Sequence, residues 1–179
     1  MKKNAFEFLP GYRVDENVFA GAKPYAVFED DQERMHCELT GMQITDLIDL
    51  REGSEKLEVC KGCFTVHEFA IRDNGVPDIV LLDKIVEKIF TLTNEGKKIY
   101  IHCNQGLGRT GIVVCGYLIK HHGASSKEAL EMLKTLKSFS VLANYHSPIT
   151  KLQVGFIRYS TIHPTRETSW RGPFIQTQS

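Results

Sequence analysis

The stretch IHCNQGLGRTG, residues 101–111, places Cys103 behind an apolar run and Arg109 six residues later, with Gly106 and Gly108 between them. Residues of these types at this spacing can hold an anion and attack it. The residues before Cys103 read as a strand and those from about Thr110 as a helix, so 104–109 form a strand-to-helix turn. In such a turn the backbone N–H groups of Asn104, Gln105, Gly106, Leu107 and Gly108 can converge on one phosphate, with glycine permitting the dihedrals. The helix behind adds unpaired N–H groups and the positive end of its dipole. Arg109 adds a planar fork that matches two phosphate oxygens.

The same field acts on the thiol. A free cysteine titrates near about 8.5, and a helix N-terminus with a nearby cation brings it to roughly 3.5–7.5. Cys103 is therefore expected as a thiolate that attacks phosphorus, forms a phosphocysteine and expels an alkoxide or phenoxide. The loop N–H groups and Arg109 would stabilise charge on the equatorial oxygens. Thr110 can donate its hydroxyl to the sulfur and ease its departure in the second step. His102 is expected to order the loop without touching substrate. The departing oxygen needs a proton, and AIRDNGVPDIV holds two candidate acids. Asp78 follows Pro77 in a first helical turn, where the dipole alone explains a carboxylate. Asp73 lies between a strand end and a Gly/Pro turn, in a loop able to close over substrate. No step of this chemistry needs a metal or another cofactor.

These residues must be positioned by the elements around them. NVFAGAKP reads as a short strand ended by Gly/Pro, FEDDQERMHCELTGM as a helix with acids in its first turn, and ITDLIDL (44–50) as a buried strand. CFTVHEFAI (63–71) alternates as another strand. Ile79, Leu82, Ile85, Ile89 and Phe90 follow helical spacing, with Pro77 in the first turn and Gly96 at the stop. KIYIH (98–102) is a short strand. TGIVVCGYLIKHHG is apolar almost all round, a central buried helix closed by Gly123, and in it Cys115 reads as core. SSKEALEMLKTL opens with a capping box, Ser125 to Glu128. SPITKLQVGFIRYS can form a last helix from near Ser147 and Pro148, and the tail 163–179 reads as loop. Strands alternating with helices argue for an α/β fold with a mostly parallel central sheet.

Bulk properties set the limits. The chain of 179 residues fits one domain, 1–179. Its 22 basic and 22 acidic side chains cancel, which argues against nucleic acid or a membrane surface as the main partner. No run approaches the roughly 18 apolar residues of a membrane span, and MKKNAFEF lacks a signal-peptide core. The expectation is a cytoplasmic monomer. Five cysteines at uneven positions do not form a secreted disulfide framework. Cys60 and Cys63 in CKGC have metal-ligand or redox spacing, but zinc would want further ligands, and only scattered histidines such as His36 and His67 are at hand. An incidental pair is the simpler reading.

HCNQGLGRTG resembles the signature of the cysteine-dependent protein tyrosine phosphatase superfamily: His-Cys, five residues, Arg, then Ser or Thr. The length resembles the compact dual-specificity branch. NVFAGAKP, DLIDLREGSE, AIRDNGVPD and SPITKLQ follow in that family's order, so the resemblance covers about 13–160. It implies a mostly parallel sheet flanked by helices and an acid from a segment of the form Asp, a few residues, Pro, which Asp73 fits. It also implies that Gln153 holds the hydrolytic water, with a solvent-facing helix glutamine as the alternative. Arg51 in DLR is expected to support the fold by ion pairing. The loop interior NQGLG lacks the lysine that phosphoinositide phosphatases resembling this family tend to carry there. A phosphorylated protein or peptide, with phosphotyrosine and also phosphoserine or phosphothreonine, is thus favoured over phosphoinositides or inositol phosphates. A non-catalytic phosphate-binding pseudophosphatase would lack the cysteine, the arginine or the acid, and all three are present. Sulfur transfer or arsenate reduction is disfavoured by the Gly-x-Gly-Arg-Thr pattern and the Asp73 loop.

Overall fold

The structure is a computed structural model and describes residues 6–25, 29–53, 63–138 and 140–159. Strands β1 (Gly11–Arg13), β2 (Val18–Gly21), β3 (Ile44–Asp49), β4 (Thr65–Glu68) and β5 (Lys98–His102) form one sheet in the order β1-β2-β5-β3-β4. Every pairing is parallel except β1 with β2. The helices are α1 (Glu29–Gly41), α2 (Ile79–Asn94), α3 (Gly108–His122), α4 (Ser126–Lys137) and α5 (Lys151–Tyr159).

Alternation along the strands divides their side chains between two cores. Val18, Ala20, Ile48, Ile99 and Ile101 face α2, α3 and α4, where Leu82, Ile85, Val114, Cys115 and Leu133 close the larger core. Phe19, Leu47 and Tyr100 point the other way and meet Leu39 of α1. β5, central in the sheet, ends where α3 begins, and α3 is buried without interruption from Gly108 to Lys120. Burial pushes the Cys115 thiol up to about 12, as suits a core position.

The α/β reading holds, with local corrections. β1 was not foreseen, since three residues are too few to show a period; the hairpin it makes with β2 is organised by Asp15, whose carboxylate accepts from Asn17 N and Val18 N at 2.9 Å each. β4 is four residues, shorter than the expected 63–71, because it is a sheet edge with only β3 to pair with. Pro77 precedes α2, whose N-cap is Asp78. α3 starts at Gly108, two residues before Thr110, and α5 starts at Lys151, four after Ser147. The Ser125–Glu128 capping box is present, and Gly123 closes α3 in the left-handed conformation. Cys60 and the 163–179 tail lie outside the described residues, while Cys63 is exposed. His67 bonds Asp46 Oδ1 at 2.7 Å, and among the described residues no cluster of His, Cys, Asp or Glu could hold a metal. No helix among them is long and apolar enough to cross a membrane.

Candidate active site

Cys103 follows the last residue of β5 and is 4% exposed, at the floor of the loop 103–108. Leu107 is the N-cap of α3 and supplies no side-chain hydrogen bond, so no cap side chain consumes the helix's first N–H groups. Neighbouring loops hold this turn closely. Lys23 N donates to Asn104 O at 3.0 Å, and Ser147 Oγ donates to Leu107 O at 2.6 Å. Gly106 has φ +72°, and a Cβ there would lie 2.1 Å from Gly21 C. Both the dihedral and the contact exclude any other residue.

Arg109 is 2% exposed and couples this loop to the next. Its Nη1 donates to Ile71 O at 3.1 Å, and its Nη2 lies 3.0 Å from Asp73 Oδ1. The Asp73 side chain is 58% exposed, at the surface of the site. Asp78 is occupied elsewhere, since its carboxylate caps α2 by accepting from Leu81 N at 2.7 Å. Asp78 is thus the N-cap of α2 and not a carboxylate within its first turn, and of the two candidate acids only Asp73 sits beside Arg109.

Gln153 is fully buried, which removes the solvent-facing alternative. Its Nε2 donates to Gly75 O at 3.0 Å, while Oε1 accepts from Ile149 N and Thr150 N at 3.1 and 3.2 Å. It also packs over Gly108, where a Cβ would come within 2.9 Å of Nε2. One amide therefore joins the Asp73 loop, the turn before α5 and the start of α3. The carbonyl and the amino group both have protein partners, and the amino group keeps a second donor.

Beneath the loop, His102 Nδ1 lies 3.3 Å from Cys103 O and 3.9 Å from Asp49 Oδ1. Arg51 grips Asp49 with two bonds, Nε to Oδ1 at 2.9 Å and Nη2 to Oδ2 at 2.8 Å, and lies 4.9 Å from the Tyr25 ring centre. It is fully buried and supports the fold as expected. Burial would raise the Asp49 carboxyl, but the hydrogen bonds and charge of Arg51 together with His102 outweigh it and hold the group below the usual range. Burial drives His102 down to about 4, so the ring under the loop is neutral. The Thr110 hydroxyl departs from expectation: Oγ1 is buried and has no hydrogen-bond partner, so the bond to Cys103 sulfur is not formed. Sequence reasoning missed Ser147 and the 21–25 loop as supports. The small, constrained run GAKP was the available signal for the second, whereas a lone serine before proline carries none.

A family model described as the catalytic domain of dual specificity phosphatases matches residues 28–153. The mouse phosphatidylglycerophosphatase and protein-tyrosine phosphatase 1 is 25% identical over 155 residues, covering 78% of this chain and 77% of that protein. The Arabidopsis thaliana phosphatidylinositol 3,4,5-trisphosphate 3-phosphatase and protein-tyrosine-phosphatase PTEN1 is 39% identical over 69 residues, 37% of this chain and 16% of its own. Among solved structures, Tk-PTP in its active form matches with a TM-score of 0.69 at 25% identity, covering 83% of this chain and 94% of that one. PTPMT1 in complex with PI(5)P matches with a TM-score of 0.67 at 23% identity, over 83% and 92% of the two chains, and shows the fold alone.

The buried imidazole gives a pH signature. As pH falls through about 6.5 the unfolded chain takes up a proton that folded His102 refuses until about 4. Its contribution to stability is complete above that window and is lost across it, by up to about 3 kcal/mol. Urea unfolding at pH 7 and pH 4.5, with the His102 ring followed by NMR, should show lower stability at pH 4.5 and a ring still largely neutral at pH 5.

Proposed function

Since this chain belongs to the dual specificity phosphatase catalytic-domain family, we propose that it hydrolyses phosphoproteins, at phosphotyrosine and also at phosphoserine and phosphothreonine, through a phosphocysteine on Cys103. The chain is a cysteine-based phosphatase of the protein tyrosine phosphatase superfamily. The finer reading is carried by one observation: a buried thiol directly after β5 opens the loop into a helix that lacks a side-chain cap, and a buried arginine in that helix's first turn reaches the exposed Asp73.

In the first step the Cys103 thiolate forms the S–P bond as the P–O bond to the substrate breaks. Backbone N–H groups of residues 104–108 and Arg109 bind the three equatorial oxygens. Arg109 exchanges its bond to Asp73 for the phosphate, and Asp73, as the acid, protonates the departing oxygen. In the second step Asp73 as carboxylate takes a proton from water, the water oxygen bonds to phosphorus, and the S–P bond breaks to return the thiolate and inorganic phosphate. Thr110 serves the departing sulfur by turning its unpartnered hydroxyl toward it. Gln153 is a positioning residue, since it holds Gly75 of the Asp73 loop against Gly108. His102 stays neutral and orders the loop from below.

The name of the Arabidopsis relative supports a second reading, phosphoinositide or inositol phosphate hydrolysis, and the mouse relative's name a lipid phosphate more generally, though both names also include protein-tyrosine phosphatase. The lysine-free loop NQGLG favours the first. Comparison of kcat/KM for phosphotyrosine and phosphothreonine peptides, phosphoinositides and inositol phosphates decides between them; a phosphoinositide outrunning every peptide would overturn the protein-substrate reading.

Two variants test the machinery. Cys103→Ser should lose turnover while still binding phosphopeptide in a direct titration, and retained turnover would remove Cys103 as nucleophile. Asp73→Ala should lower kcat about 100-fold or more for alkyl phosphates and far less for aryl phosphates with good leaving groups. Asp78→Ala, in contrast, should cost about 1 kcal/mol of stability through the lost cap and leave kcat unchanged.

A further inference from the structure

A groove of about 320 Å³ runs along the outer side of α5, next to the site but outside every step above. His146, Ile149, Lys151, Val154, Gly155 and Arg158 line it, and no acidic side chain does. Lys151, Gly155 and Arg158 recur at helical spacings of four and three, so they form one stripe of α5. Lys151 and Arg158 are exposed, and among the described residues neither has an ion-pair partner. Ile149 adds apolar surface, 44% exposed.

Gly155 is the informative residue. A glycine inside a helix costs stability relative to alanine, and a close neighbour usually explains one. Here a Cβ would meet nothing within 4 Å. The fold does not require glycine at this position, and its effect is to keep the floor of the groove low between two cations. The opposite face of the same helix belongs to the active site: Gln153 packs on Gly108, and Ile149 N bonds its Oε1. A segment lying in the groove is thus separated from the phosphate loop by the thickness of α5, about 10 Å.

We propose that this groove docks an acidic segment flanking the phosphorylated residue of a protein substrate, with carboxylates on Lys151 and Arg158 and an apolar side chain over Gly155. The inference rests on the protein-substrate reading and names the flank that reading would prefer. Charge complementarity selects the occupant. A concave channel one helix long suits a single extended segment better than a flat bilayer. The chain's own residues 160–179 carry Arg166 and Arg171 against Glu167 and lack the negative charge to fill it.

The test compares the natural chain with a Lys151→Glu/Arg158→Glu double variant and with Gly155→Leu. The substrates are an aryl phosphate, a phosphopeptide with an acidic flank, its neutral-flank counterpart, and vesicles containing phosphoinositide. The natural chain should prefer the acidic flank by roughly fivefold in kcat/KM, carried by KM and weakened by salt. Both variants should erase that preference while aryl phosphate turnover stays unchanged, which also shows that they fold. Equal use of the two peptides by the natural chain, or a preference that survives in both variants, overturns the docking site and leaves the protein-substrate reading intact. Vesicle hydrolysis that falls in the variants while peptide turnover does not makes the groove a lipid contact and overturns the proposal. Vesicles hydrolysed by the natural chain with neither peptide turned over removes the protein-substrate reading itself.

Discussion

The buried guanidinium of Arg109 is the interaction on which the site depends. It belongs to the first turn of α3, yet it bonds the carbonyl of Ile71 and the carboxylate of Asp73, some forty residues earlier in the chain. A group that is always charged tolerates burial only with partners, and both partners come from the loop that follows β4. Placing the arginine therefore places Asp73. The ion pair is also exchangeable, because Asp73 is exposed while Arg109 is not.

Around that bridge the turn is held by backbone contacts that leave little freedom. Gly106 lies against Gly21 and Ala22, Asn104 accepts from Lys23, and Leu107 accepts from Ser147. These contacts come from two segments far apart in the chain, 21–23 after β2 and Ser147 before α5. Beneath them, His102, Asp49 and Arg51 form a dry polar layer. Within it Arg51 binds Asp49, while the His102 ring meets the Cys103 carbonyl and is kept neutral by burial. The layer fixes the end of β5 and with it Cys103.

Most of the scaffold was legible because its signals are local. The apolar run of α3, the Ser125–Glu128 capping box and the β-branched stretch of β3 each declare their structure within a few residues. Boundaries drifted where local cues compete: Pro77 and Asp78 both suit a helix start, and only the Leu81 N–H bond shows that Asp78 is the cap. β1 was invisible, because three residues acquire strand character only from pairing with β2. Within the site, Cys103, Arg109 and the glycines announced themselves by type and spacing. The orientations of Thr110 and Gln153 were not legible, since the direction in which a hydroxyl or an amide points depends on neighbours distant in sequence.

By itself the sequence determined the chemistry this protein can attempt. A thiol, five residues with two glycines, and an arginine at the head of an apolar helix constrain the backbone through bonds of short range. The tertiary structure decided what those groups do together. It put Asp73 rather than Asp78 beside Arg109 and turned Gln153 inward to bind Gly75. It also left Lys151 and Arg158 facing outward across an open glycine. Each outcome depends on which loops meet at the end of the sheet, and that meeting is set by burial of the two cores, a property of the whole chain.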